Sequence, residues 1–137
     1  MPRTHVRTYG LTHIALAVDD VGRAVRFYEQ VFGMVAVYRY PAFAQLQTPG
    51  TRDALVLEKS VDGETTPRVA AGVRHYGFRL VDAADIDAAA AAIERAGGTI
   101  TDKGEFVPGE PYIFFRDPDG YEVEVWYELP TSVDPKP

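Results

Sequence analysis

Apolar and polar positions alternate from Gly10 to Val18, which predicts a β-strand with two unlike faces. Thr12, Ile14, Leu16 and Val18 share one face and are bulky enough to pack under a helix. Leu11, His13, Ala15 and Ala17 share the other, where an imidazole is followed by small residues. The pattern returns at Val73 to Val81: Tyr76, Phe78 and Leu80 make the bulky face, and His75 is followed by Gly77 on the open one. After the first strand, Asp19 and Asp20 are helix N-cap candidates. Val21, Ala24, Val25, Tyr28, Val31 and Phe32 then recur at helical spacing, and Gly33 supplies the stop. Met34–Tyr40, Phe43–Gln47 and Asp53–Lys59 read as strands, with Pro41 dividing the first two.

The second half repeats this order. Asp82 and Asp85 precede an Ala-rich helix from Ile86 to Ala96, whose inner stripe is Ile86, Ala89, Ala90 and Ile93 and which Gly97 and Gly98 end. Thr99–Val107 and Tyr112–Arg116 are expected strands. Asp117-Pro118-Asp119-Gly120 has the composition of a tight reversal, Tyr121–Glu128 is the last strand, and Pro130–Pro137 is expected to fray. Two strand-helix-three-strand units follow one another. The expected fold is α+β: tandem βαβββ modules forming a cupped mixed sheet with helices outside. The organisation expected is a single domain over 1–137, with modules at 10–59 and 72–129 joined by a polar linker at 60–71.

Composition narrows the partners. At 137 residues and 46% hydrophobic content the chain suits a globular domain with a sizeable core. A net charge of -6 argues against nucleic acid as the main partner. No apolar run reaches membrane-spanning length, and the first residues lack the apolar core of a secretory signal. Without cysteine there is no disulfide, thiolate ligand or thiol nucleophile, and a cytoplasmic location is the default expectation.

Alternation applied to the last strand turns Glu122, Glu124 and Trp126 to the open side, with Val123, Val125 and Tyr127 covered. In the strand before the linker, Leu55 and Leu57 are covered, and Ala54, Val56 and Glu58 are open. Asp53 precedes Glu58 by the same 5 residues that separate Asp119 from Glu124, which suggests that the two glutamates are repeat equivalents. The expected cup thus gathers His13, His75, Glu124 and Glu58. Two imidazoles and one or two carboxylates suit one divalent metal ion, Fe, Mn, Ni, Co or Zn, with positions left open for a substrate. Arg79 shares the His75 face and is a candidate for binding a substrate carboxylate.

These segments resemble the vicinal oxygen chelate superfamily, which includes glyoxalases, extradiol dioxygenases, fosfomycin-modifying enzymes and bleomycin-binding proteins. The resemblance rests on Thr12-His13-Ile14-Ala15-Leu16, Phe27-Tyr28 with Phe32-Gly33, His75-Tyr76-Gly77-Phe78, and the run from Asp117 to Glu124. It implies His13, His75 and Glu124 as metal ligands, with Glu58 near a fourth ligand of the glyoxalase branch. It also implies chelation of two neighbouring substrate oxygens, with Glu124 or Glu58 moving a proton, and a homodimer. Ring cleavage is disfavoured, because Glu110-Pro111-Tyr112-Ile113-Phe114-Phe115, just ahead of the Asp-Pro turn, holds no histidine and Phe114 or Phe115 takes the expected tyrosine position. Ala15 replaces a threonine usual in fosfomycin enzymes. A metal-dependent lyase or isomerase is the first expectation, an Fe(II) dioxygenase the second, and a small-molecule binding protein without turnover the third.

Overall fold

The computed structural model describes residues 5–61, 72–132 and 134, so most of the expected linker lies outside the described residues. The first module runs β1 (His13–Val18), α1 (Val21–Phe32), β2 (Val35–Tyr40), β3 (Phe43–Gln47) and β4 (Ala54–Lys59). The second runs β5 (Tyr76–Arg79), a 3-10 turn (Ala83–Asp85), α2 (Ile86–Arg95), β6 (Thr99–Glu105), β7 (Pro111–Arg116) and β8 (Glu122–Trp126). The expected α+β tandem is present. It forms two four-stranded mixed sheets, ordered β1-β4-β3-β2 and β5-β8-β7-β6, each with one parallel pair.

Both ends of α1 are set by local chemistry. Asp20 accepts the Arg23 N–H at the start, a cap contribution of about 1 kcal/mol. Gly33, with φ 66°, occupies the left-handed conformation that ends the helix and returns its N–H to Glu29. The buried arc of α1 joins Phe27 to Val21, Ala24, Val25 and Tyr28 of the expected stripe, while Val31 and Phe32 pack against it partly buried. Phe27 is needed because the helix covers two sheets. Its ring lies 6.0 Å from Phe115 of the second sheet, and Phe32 stacks on Phe78 at 3.8 Å. One core results, joining Leu16, Val18, Leu55 and Leu57 to Ile93, Ile113, Phe115, Val123 and Val125. Among the described residues no helix is long and apolar enough to cross a membrane.

The turn after β7 fastens the modules together. Asp117 accepts the N–H groups of Asp119 and Tyr121, and its other oxygen accepts the Tyr28 hydroxyl at 2.6 Å. Tyr28 also meets the Tyr76 hydroxyl. Asp119 accepts the Asp19 N–H at 3.0 Å and pairs with Arg23 at 2.9 Å. Tyr121 donates to the Ala17 carbonyl. A sequence read as a simple reversal is therefore the point where the second module grips both ends of the β1–α1 connection.

Burial raises the pKa of Asp117 above its ordinary 3.8, with the Tyr28 and backbone hydrogen bonds opposing that shift. A carboxyl that holds its proton more tightly when folded costs stability as it ionises. Its cost is absent below pH 3.8 and grows as pH rises through the folded pKa. We predict that Asp117→Asn gains stability relative to the parent chain as pH rises from about 4 to about 7. Denaturant midpoints measured across that range check this; a pH-independent difference would refute it.

Candidate metal and ligand site

His75 stands one residue before β5 and Glu124 in the middle of β8, and parallel pairing of Gly77 with Glu124 brings them together. The His75 Nε2 lies 3.1 Å from Glu124 Oε2. The Glu124 side chain is only 12% exposed, so its charge calls for a positive partner, either a protonated imidazole or a bound cation. Imidazole nitrogen and carboxylate oxygen are also a donor pair that divalent transition metals accept. The arrangement fits half of a metal site.

Aromatic rings build the surroundings. Phe114 meets His75 edge-on at 5.1 Å, Tyr112 meets Phe114 at 5.5 Å, and Phe106 stacks on Tyr112 at 4.2 Å. Tyr112 donates to Asp102, which raises the phenol pKa. Gly77 leaves no room for a side chain because the Trp126 ring lies against it: a Cβ there would stand 3.0 Å from both that ring and the Glu124 carbonyl. A shallow pocket borders His75 where Ile14, Ala15 and Leu16 of β1 approach Val73, Tyr121 and Glu122. Glu122 accepts from Thr101 and pairs loosely with Arg116, as suits a rim charge.

The other expected ligands lie on the first sheet. His13 and Ala15 are exposed on its open face, while Leu16 and Val18 are buried behind, as the alternation requires. Glu58 lies on the same face, paired with Ala17. The register changes its relation to Glu124, however. Gly77, two residues after His75, pairs with Glu124; Ala15, two residues after His13, pairs with Val56. Val56 is therefore the counterpart of Glu124, and Glu58 that of Trp126. Counting from the aspartates misled by one strand step, since Asp53 directly precedes β4 whereas Gly120 and Tyr121 intervene between Asp119 and β8. Among the described residues of one chain, no group of three or more His, Cys, Asp or Glu is placed to hold a metal ion.

Arg79 faces the open side, but Asp134 at 2.9 Å and Glu128 at 3.7 Å already engage it. Sequence patterning gave the tail only as frayed, and no periodicity marks Asp134 as a partner. Trp126 was legible as an open-face residue; its seat on Gly77, and that of Phe114 on His75, depend on the register.

Residues 10–125 match the Glyoxalase/Bleomycin resistance protein/Dioxygenase superfamily. The chain belongs to that superfamily. An uncharacterized protein of Pseudomonas aeruginosa is 30% identical over 88% of this chain and 89% of its own length. A lactoylglutathione lyase of Haemophilus influenzae is 28% identical over 83% of this chain and 89% of its own. The fosfomycin resistance protein FosX of Mesorhizobium loti superposes with a TM-score of 0.71 at 22% identity, covering 90% of this chain and 95% of that one. Relatives at 28% identity also include a catechol-2,3-dioxygenase of Bacillus subtilis and a metallothiol transferase of Shouchella clausii. The superfamily is largely enzymatic and its members often bind divalent metals; these relatives span several reactions.

Gly77→Val tests how tightly the floor of the site is built. The added methyls cannot fit against the Glu124 carbonyl and the Trp126 ring, so the ring must move and stability falls by about 1–3 kcal/mol. Trp126 is the chain's one tryptophan, and its emission maximum reports the movement directly.

Proposed function

We propose that this superfamily member is a metal-dependent enzyme of lyase or isomerase type, acting on a small substrate with two neighbouring oxygens. The close approach of His75 to Glu124 on an open, aromatic-walled face carries this reading. His13 of a second copy would complete a 2-His-1-carboxylate set in a homodimer. Two observations support the pairing: one chain supplies two converging donors, and the open face of the first sheet leaves His13, Tyr38 and Tyr40 exposed. The apolar Val56 in the place matching Glu124 leaves the first module with one ligand to give.

When bound, a divalent ion at these donors supplies Lewis-acid stabilisation of negative charge on substrate oxygens. His75 and Glu124 would hold such an ion, and Phe114 walls one side of the imidazole against water. Glu58, one strand step beyond Val56 on the same face, is our assignment for the proton acceptor. We leave it out of the ligand set because Val56, not Glu58, is the register counterpart of Glu124. The match to a lactoylglutathione lyase along most of both chains supports the reaction class.

Metal analysis combined with mixing of variants tests the arrangement. The parent chain is expected to bind one divalent ion per chain, and His13→Ala, His75→Ala and Glu124→Ala each to lose it. Co-refolding His13→Ala with Glu124→Ala should restore about a quarter of the parent sites, because half of the dimers are mixed and each mixed dimer holds one intact set. No recovery on mixing would refute a site shared between copies. Glu58→Gln should retain the metal and lose turnover by about 10²-fold or more. Saturable ligand binding with no stoichiometric metal would instead favour a binding protein, which the aromatic row from Phe114 to Phe106 would also suit. Oxygen uptake with catechols would favour dioxygenase chemistry.

A further inference from the structure

The open face of the second sheet carries a guanidinium that the metal reading does not use. Arg79 lies four residues after His75 on the same strand face, about 13 Å along it. Between them Gly77 has no side chain, and the Trp126 ring covers the gap as a flat apolar floor. The far end of that floor is closed by Glu128 and Asp134. Arg79 Nη2 donates to Asp134 Oδ1 at 2.9 Å and to the Glu128 carbonyl at 3.3 Å, while Nη1 lies 3.7 Å from the Glu128 carboxylate.

The Asp134 carboxylate is held in place from its own side. It accepts the Thr131 hydroxyl at 2.7 Å and the Thr131 N–H at 2.9 Å. These bonds, and after them Arg79, hold its pKa below the usual carboxylate range. A turn that presents an ionised carboxylate to a guanidinium reproduces what a ligand carboxylate would do there.

We infer that Arg79 is the anchor of a second subsite, for the carboxylate end of an arene-bearing ligand lying on Trp126, and that Asp134 occupies this subsite until such a ligand displaces it. The inference rests on the open face of the second sheet being the ligand face, but not on a metal being bound there. Exchange is feasible because both side chains keep surface open to solvent, 23% for Arg79 and 26% for Asp134, so a ligand can reach the pair. A ligand that also covers the indole gains apolar contact that Asp134 cannot offer.

Benzoate and its uncharged counterpart benzamide, titrated into the full chain without metal and followed by Trp126 emission and calorimetry, test this. Asp134→Asn should bind benzoate about three- to fivefold more tightly than the parent chain, and Glu128→Gln/Asp134→Asn more tightly again. Arg79→Gln should lose the preference for benzoate over benzamide, and Arg79→Lys should keep part of it because it lacks the two-pronged geometry. Benzamide affinity should not change in the tail variants. Unchanged or weaker benzoate binding in Asp134→Asn, or an undiminished preference in Arg79→Gln, would overturn the inference, as would no benzoate response in the double tail variant. His75→Ala separates the two readings: it should abolish metal uptake and leave the benzoate response intact.

Discussion

Helix α1 must cover two sheets at once, and this requirement organises the molecule. Val21, Ala24 and Val25 are buried beside the strands of its own module, while Phe27, Tyr28 and Phe32 reach rings of the second. Apolar contact alone would let two such modules slide, because it has no preferred direction. The hydroxyl of Tyr28 and the carboxylates of Asp117 and Asp119 remove that freedom. Each is a directional bond in a region where an unmade bond would be costly. The turn carrying these aspartates leads straight into β8, so the contact that docks the modules also sets where Glu124 lies relative to His75.

Much of this was legible in residue patterning. Period-two alternation separated His13, Ala15 and Glu124 from Leu16, Val18, Val123 and Val125, and burial divides them the same way. Cap residues bounded α1 to within one residue: of the two N-cap candidates Asp19 and Asp20 the structure uses Asp20, and Gly33 ends the helix. What patterning could not supply was register. Asp53 and Asp119 look equivalent on paper, yet two additional turn residues before β8 shift the correspondence, so that Val56 rather than Glu58 answers to Glu124. A second gap has a similar origin. Phe27 falls outside a stripe drawn for a helix with one neighbour, because a helical wheel records which residues are apolar but not how many surfaces await them.

The register has chemical weight. A glutamate at position 56 would have given each module one histidine and one carboxylate, hence a four-donor set from two equivalent halves. Valine there makes the halves unequal. On its open face the second module places His75 beside Glu124, whereas the first places small or apolar residues, Ala15, Ala54 and Val56, nearest His13, with Glu58 further along. In the proposed arrangement, three donors leave more of an ion's coordination sphere to the substrate than four would. They also leave Glu58 available for proton transfer instead of holding it as a ligand.

Electrostatics on the second sheet then bears on what could enter. Both arginines of its open face, Arg79 and Arg116, are near acids of the same chain, Asp134 and Glu128 for one and Glu122 for the other. A ligand anion that approaches Arg79 or Arg116 must compete with these acids for the guanidinium. Neutral aromatic surface, by contrast, is freely offered by Phe106, Tyr112 and Phe114, the last touching the imidazole itself. Selectivity on such a face would come first from shape and ring contact, and from charge only where a carboxylate is placed to take over the position of Asp134. That order of effects follows from the tail's contact with Arg79, a residue pair 55 positions apart that no local pattern in the chain connects.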